Sequence, residues 1–291
     1  MKELLKDAYD LHIHCAPDVI PRIVTGYEMA QRARECGMRG FAIKAHYSCT
    51  CQIASLVNEL VPECHAIGTL TMNSATGGIN PMAVETACRL GAGIIWCPTF
   101  DSAAQQKLNR ELTPQHIVMQ CKLFERGMRV PSYSLTDENG NLTKDMSDVL
   151  SLVQEYDIVL GTGHITHEET FALAREAHRR NFRKLVITHA DWAFTHYNID
   201  EKLELVRLGA FIEHSWTSPA LLNSLTFEEA FAEMRAVGPE HIIVSTDLGA
   251  NMSIYPDQGL LDYAERILQA GFSEEELRLM LVNNPARLME D

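Results

Sequence analysis

The chain has 291 residues, 46% of them hydrophobic and 22% charged, an ordinary globular composition with room for a large core. Its formal net charge of −14 argues against nucleic-acid and anionic-membrane partners, both of which select basic surfaces. No apolar run reaches the roughly 20 residues that cross a bilayer, and the opening MKELLKDAYDLHIH lacks a signal-peptide pattern. A cytoplasmic protein with reduced thiols is therefore expected. Its eight cysteines include one C-x-C pair, Cys49 and Cys51, and no C-x-x-C.

Along the chain, short apolar runs alternate with segments of helical period. DLHIH (10–14) reads as the first strand and TGYEMAQRARECG (25–37) as a helix that stops at Gly37. Strands follow at 40–46 and 64–72, then a helix at 81–91 and a fourth strand at 91–97. The next interval is long. It holds an extra helix at 113–127 and a hairpin-like stretch whose Asn139-Gly140 suits a tight turn. Regular alternation then resumes with strands at 157–164, 184–190, 209–215 and 241–247. The intervening helices span 166–181 and 200–209; Thr166 with Glu169 caps the first, and Ser273 with Glu276 opens the last helix of the chain. Eight strand–helix units predict a (β/α)8 TIM barrel, a single domain over 1–291, with an insertion between strands four and five.

In such a barrel the chemistry sits at the C-terminal ends of the strands. His12 and His14 lie two apart on the first strand and share a face, which places Leu11 and Ile13 on the other. The later ends present Lys44 and His46, Asn73, the stretch WCPTFD, His164, His189, His214 and Asp247. Imidazoles and a carboxylate converging on one mouth need a cation to offset their desolvation, so a metal site is expected. Mixed imidazole and carboxylate ligation suits Zn²⁺ first; Mn²⁺, Fe²⁺, Co²⁺ and Ni²⁺ also fit. Arg22, Tyr47 and Trp192, with His46, Asn73 and His214, are the candidate substrate contacts by position near the mouth.

D-x-H-x-H on strand one, histidines in GTGHIT and THAD, aspartate in STDLG and the terminal NPARL together resemble the amidohydrolase superfamily of metal-dependent barrels. The resemblance runs from Asp10 to Met289, in a compact form without a flanking β-sandwich domain. It implies that His12 and His14 bind the more buried metal, and that His164 and His189 bind a second ion or share the first. It further implies that Asp247 ligates metal and serves as general base; in single-metal relatives His12, His14, His164 and Asp247 would be the ligands and His189 the acid–base group. The expected activity is metal-dependent hydrolysis of an amide, lactone, ester or phosphoester bond in a small molecule. One departure stands out: strand four, GIIWCPTF, has neither the lysine nor the glutamate that usually bridges two metals. Lys44 carboxylated in their place, a Cys97 thiolate, or a single metal are the three readings; an uncarboxylated Lys44 would pair with Asp10 or Asp247. A single metal suits the decarboxylases and related lyases of the superfamily. A phosphoesterase of the PHP type fits less well, because STDLGA replaces its Asp-x-His, and a barrel that only binds is disfavoured by the intact Asp247. The sequence leaves a homo-oligomer open.

Overall fold

The structure, a computed structural model, describes residues 2–109, 119–251 and 253–290. Eight strands pair in parallel and in chain order: β1 (Tyr9–Ile13), β2 (Gly40–Ile43), β3 (His65–Thr71), β4 (Ala92–Trp96), β5 (Val159–Gly161), β6 (Leu185–Ile187), β7 (Phe211–Ser215) and β8 (Ile242–Ser245). The ring closes just beyond β8. Asp247 N donates to His12 O and His14 N to Leu248 O, both at 2.8 Å, and Ile13 bridges Leu248 in parallel. The alternation predicted this barrel, and the helices Gly26–Cys36, Pro81–Arg89, His167–Arg179 and Ile199–Arg207 fall within the predicted ranges to a residue or two. Local chemistry starts them: full capping boxes form at Thr25/Glu28, Thr166/Glu169, Asn198/Glu201 and Ser273/Glu276.

The strands end earlier than their apolar runs suggest. Lys44, His46, His164 and His189 stand just past β2, β5 and β6, in the loops that leave the barrel. Side chains divide between two layers. Tyr9, Leu11, Ala42, Ile67, Ile94, Trp96, Val159, Val186, Phe211 and Ile243 fill the barrel interior, with Leu288 of the terminal helix Asn284–Met289 packed against them. Ile13, Ile43, Ile95, Ile187, Ile212 and Val244 face outward into the helical layer. Leu11 thus corrects a simple alternation, which puts it opposite the histidines. The β1–β2 register shifts between Asp10 and Ile13, and such a bulge lets consecutive residues, here Leu11 and His12, face inward together.

Between β4 and β5 the chain carries the helices Ala103–Asn109, Met119–Glu125 and Lys144–Glu155. The first part of the helix expected at 113–127 lies outside the described residues. The Asn139-Gly140 stretch makes a tight turn, Gly140 N donating to Asp137 O, but only an isolated Thr136–Leu142 bridge rather than paired strands. This excursion reaches the mouth, where Tyr47 Oη donates to Gln120 Oε1 at 2.8 Å. Among the described residues, no helix is long and apolar enough to cross a membrane.

Closure of the barrel requires a glycine after Asp247. Gly249 has φ 133°, and a Cβ there would sit 1.9 Å from the His14 carbonyl oxygen. Gly249→Ala is expected to cost about 3 kcal/mol through strain and clash. Urea unfolding checks this, and an unchanged midpoint would contradict the closure described.

Candidate metal centre

The site is organised from β7. Alternation along Phe211–Ser215 turns Phe211 and Glu213 inward and Ile212 outward, so Glu213 stands in the barrel with 3% exposure. Its Oε1 lies 3.0 Å from His12 Nδ1 and accepts from Ser245 Oγ at 2.6 Å. Its Oε2 accepts the backbone N–H of His189 at 2.6 Å. One carboxylate therefore orients the imidazole from β1 and the loop that delivers the imidazole after β6. His189 (φ 29°) and Asp247 (φ 54°) both adopt left-handed backbone, a costly conformation for non-glycine residues, at sharp turns directly beyond β6 and β8.

The ring nitrogens then follow from their partners. Glu213 as a carboxylate only accepts, so His12 Nδ1 carries the proton and Nε2 keeps a lone pair. His14 Nδ1 lies 2.9 Å from the Lys44 carbonyl, which also only accepts, so its Nε2 is likewise a lone pair. Arg22 Nη2 at 3.2 Å from the same Nδ1 is then a contact and not a hydrogen bond. Both free Nε2 atoms face one carboxylate oxygen: Asp247 Oδ1 is 3.0 Å from His12 Nε2 and 3.1 Å from His14 Nε2. Two lone pairs against an anionic oxygen repel unless a positive charge lies among them. His12, His189 and Asp247 supply ligand atoms all within 4.8 Å of one another, and the carboxylate–histidine contact at Glu213 is the outer support that metal-ligating imidazoles usually have. The donor set fits a divalent cation.

Titration reflects the same demand. Burial and Lys44 oppose a charged His12, yet Asp247 and Glu213 together raise it to about 9, so without an ion its Nε2 takes up a proton where the cation would sit. Burial would raise Glu213 and Asp247, but His12 and its neighbours hold Glu213 at about 2 and Asp247 well below the carboxylate range. Burial and Arg22 bring His14 to about 3, burial and Lys44 bring His189 to about 4, and burial keeps His46 and His164 far below ordinary imidazoles. Lys44 is lowered to about 8 by burial, against the pull of Asp247 and Glu213.

Most of the residues expected at the mouth meet there. Lys44 Nζ lies 2.8 Å from His12 Nε2; of its two expected partners, Asp10 instead accepts from Thr246 N and Oγ1, and Asp247 acts on it through its charge. His164 packs beside His189 with ring centroids 4.9 Å apart, its Nδ1 buried without a partner. Trp192 stands 5.1 Å from both rings. His46 stacks between His14 and Phe100, at 5.0 and 4.1 Å, and hydrogen-bonds Thr99 through Nδ1. Asn73 braces this group, donating to His46 O and Thr99 Oγ1. Arg22 is tied by Nε to Asp18 at 2.7 Å, and Tyr47 is held by the insertion. His214 does not join them. The parity that brings Glu213 inward sends His214 into the helical layer, fully buried, with Nδ1 3.3 Å from Asp191. Cys97, the alternative thiolate, is buried, and burial pushes its thiol up. Glu213 and Phe100 were not singled out in the sequence. The readable signal for Glu213 was a carboxylate embedded in an apolar strand one position from the expected histidine.

Removing Glu213 orphans three buried donors, so Glu213→Ala is expected to destabilise the metal-free protein by about 3 kcal/mol. Denaturant unfolding tests it; a loss below about 1 kcal/mol would show that the carboxylate does not anchor the site.

Several solved structures share this barrel at low identity. An amidohydrolase from Pseudomonas aeruginosa matches with a TM-score of 0.61 and 12% identity, covering 99% of this chain and 98% of that one. A probable 2-pyrone-4,6-dicarboxylic acid hydrolase from Acinetobacter baumannii gives 0.57 and 14%, over 98% and 100% of the two chains. A probable dipeptidase from Pseudomonas aeruginosa gives 0.63 and 10%, over 99% and 95%. The likeness is one of fold, and it is the fold implied by the resemblance in sequence. No curated protein matches the chain. The model of a family of unknown function, DUF6282, matches residues 7–213, well over half of the chain, and the protein belongs to that family.

Proposed function

We propose that the protein is a divalent-metal hydrolase of the amidohydrolase type, acting on an amide, lactone, ester or phosphoester bond of a small molecule. The observation that carries the reading is Asp247 Oδ1 set against the lone pairs of His12 and His14, an arrangement that a cation stabilises and that places a carboxylate beside it. His12, His14, His189 and Asp247 would hold the ion, with His164 alongside and Zn²⁺ as the first choice. Such an ion acts as a Lewis acid and brings the pKa of a water to about 7.

The chain's own groups supply the proton traffic. Asp247 takes the proton of the attacking water and returns it to the leaving group; its Oδ2 lies 3.5 Å from Thr217 Oγ1, which limits its rotation. Where His164 takes its place as ligand, His189, fixed through its backbone by Glu213, is the second acid–base group. Arg22, His46 and Trp192 line the substrate side, while Asn73 and Tyr47 hold the loops that present them.

A specific observation also favours a single-metal decarboxylase or related lyase. The end of β4 brings Trp96 against His12, with ring centroids 5.6 Å apart, and supplies no carboxylate to bridge two ions. Lys44, with Nζ 2.8 Å from His12 Nε2, is placed to take that role. Near pH 8 a substantial fraction of its amine is free to add carbon dioxide, which would create an anionic bridge.

Two measurements test these readings. In a screen of esters, lactones, amides and phosphoesters with the metal-loaded protein, Asp247→Asn is expected to lower kcat by roughly 10²–10⁴ while circular dichroism stays unchanged. Unchanged turnover would remove Asp247 from the mechanism. Elemental analysis then separates the two chemistries. The hydrolase with a Lys44 carbamate holds two ions per chain and loses one in Lys44→Arg, whereas one ion per chain, indifferent to that substitution, supports the lyase.

A further inference from the structure

The C-x-C pair lies on the loop that follows β2 and is not used by the metal centre. Cys51 is the first residue of the helix Cys51–Leu60, and Thr50 before it has φ −105° and ψ 5°. That turn-like backbone contracts the chain between Cys49 and Cys51, where an extended residue would separate their sulfurs, and brings the pair toward the spacing a disulfide requires. Thr50 offers no side-chain cap to the helix. The Cys51 thiol donates to Ala87 O at 3.8 Å, and the Cys49 thiol lies close enough to Cys51 to sense it. The neighbouring Cys51 lowers the Cys49 thiol, while burial or a neighbouring thiol pushes up Cys15, Cys51, Cys64, Cys88, Cys97 and Cys121.

Access sorts the thiols in the same way. Six of the eight are buried, and only Cys36 and Cys49 are partly exposed. Cys36 faces the Asp257 carboxylate, with Sγ 4.0 Å from Oδ2, which repels an anionic sulfur. Cys49 therefore combines exposure, stabilisation of the thiolate and a resolving thiol two residues away, the three conditions for a redox-active cysteine.

We propose that Cys49 and Cys51 form a redox-active dithiol that closes to an intramolecular disulfide when a small-molecule disulfide, such as glutathione disulfide, supplies the oxidising equivalents. The Cys49 thiolate attacks one glutathione sulfur, forms a mixed disulfide and expels a glutathione thiolate, which takes up the proton that Cys49 gave up. The Cys51 sulfur then attacks the Cys49 sulfur and expels the second glutathione, to which its proton passes. The protein loses two hydrogens and two electrons, and one glutathione disulfide becomes two glutathione thiols.

The ring so formed contains Thr50, and Thr50 ties the loop to the barrel. Its Oγ1 donates to Ile43 O at 2.7 Å and its N–H to Thr69 O at 3.0 Å. Ile43 immediately precedes Lys44, so closing the ring acts on the segment that delivers Lys44 and His46 to the mouth. The helix start has little freedom to retreat. Gly68 of β3 approaches so closely that a Cβ there would lie 2.6 Å from Cys51 Cα. Cys88, whose charge Cys51 also senses, is the competing partner.

The test uses the intact, fully reduced protein, treated with glutathione disulfide, quenched in acid, alkylated and mapped by peptide mass. The expected product is one bond between Cys49 and Cys51, seen as the loss of two hydrogens and of alkylation at both, and reversed by dithiothreitol. Cys51→Ser should stop at a glutathione adduct on Cys49. Cys49→Ser and Cys49→Ala should leave Cys51 free and alkylated after denaturation. A first adduct on Cys51, a Cys51–Cys88 bond, or full alkylation of Cys49 under conditions that oxidise a free dithiol would each overturn the proposal.

Discussion

The buried carboxylate of Glu213 is the contact on which the rest of the site depends. It is nearly sealed from solvent, yet it accepts from a side chain on β1, a backbone N–H after β6 and a hydroxyl on β8. An anion in such a place is costly unless its oxygens are satisfied and a positive charge is near. Meeting that demand sets the His12 tautomer, and the tautomer in turn aims a lone pair at Asp247. The arrangement at the mouth is a consequence of one charge being placed inside the barrel.

Satisfying that charge leaves another need. His12, His14 and Asp247 converge with more acceptors than donors, and Lys44, lowered toward about 8 by burial, contributes a cation on one side only. A divalent ion answers the imbalance in a way that packing cannot, since apolar side chains would leave the same lone pairs opposed. The groups around that position are a carboxylate held at an angle by backbone turns, the imidazoles of His14, His46, His164 and His189 kept neutral by burial, and aromatic walls from Phe100 and Trp192. The dithiol at Cys49 and Cys51 lies on the adjoining loop, anchored through Thr50 to the end of β2, so the chemistry of the thiols and the placement of Lys44 share one short piece of backbone.

Much of the architecture was legible in one dimension because it is local. Helix starts are written in residues three apart, as at Thr166 and Glu169, and their capping boxes form where the pattern says. Apolar runs of strand length alternating with helical segments leave few topologies other than a barrel. Polar residues at the ends of those runs must then gather at one rim, and for that reason His12, His14, Lys44, His46, His164, His189 and Asp247, all singled out in the sequence, stand near one another.

What lay beyond the sequence concerns facing and partners. Strand periodicity has a phase that neighbours set across the sheet, and a shift of one residue reverses it. The bulge at Asp10–Ile13 turned Leu11 inward, and the phase of β7 exchanged His214, a plausible ligand by type, for Glu213, which the pattern alone did not favour. The sequence by itself thus determined the element order, the barrel and the rim where polar side chains collect, since these follow from local propensity and period. Only the tertiary structure decided which of those side chains enter, which nitrogen each imidazole presents and which carboxylate holds them, because these depend on cross-strand register and on hydrogen bonds between residues as far apart as His12 and Asp247.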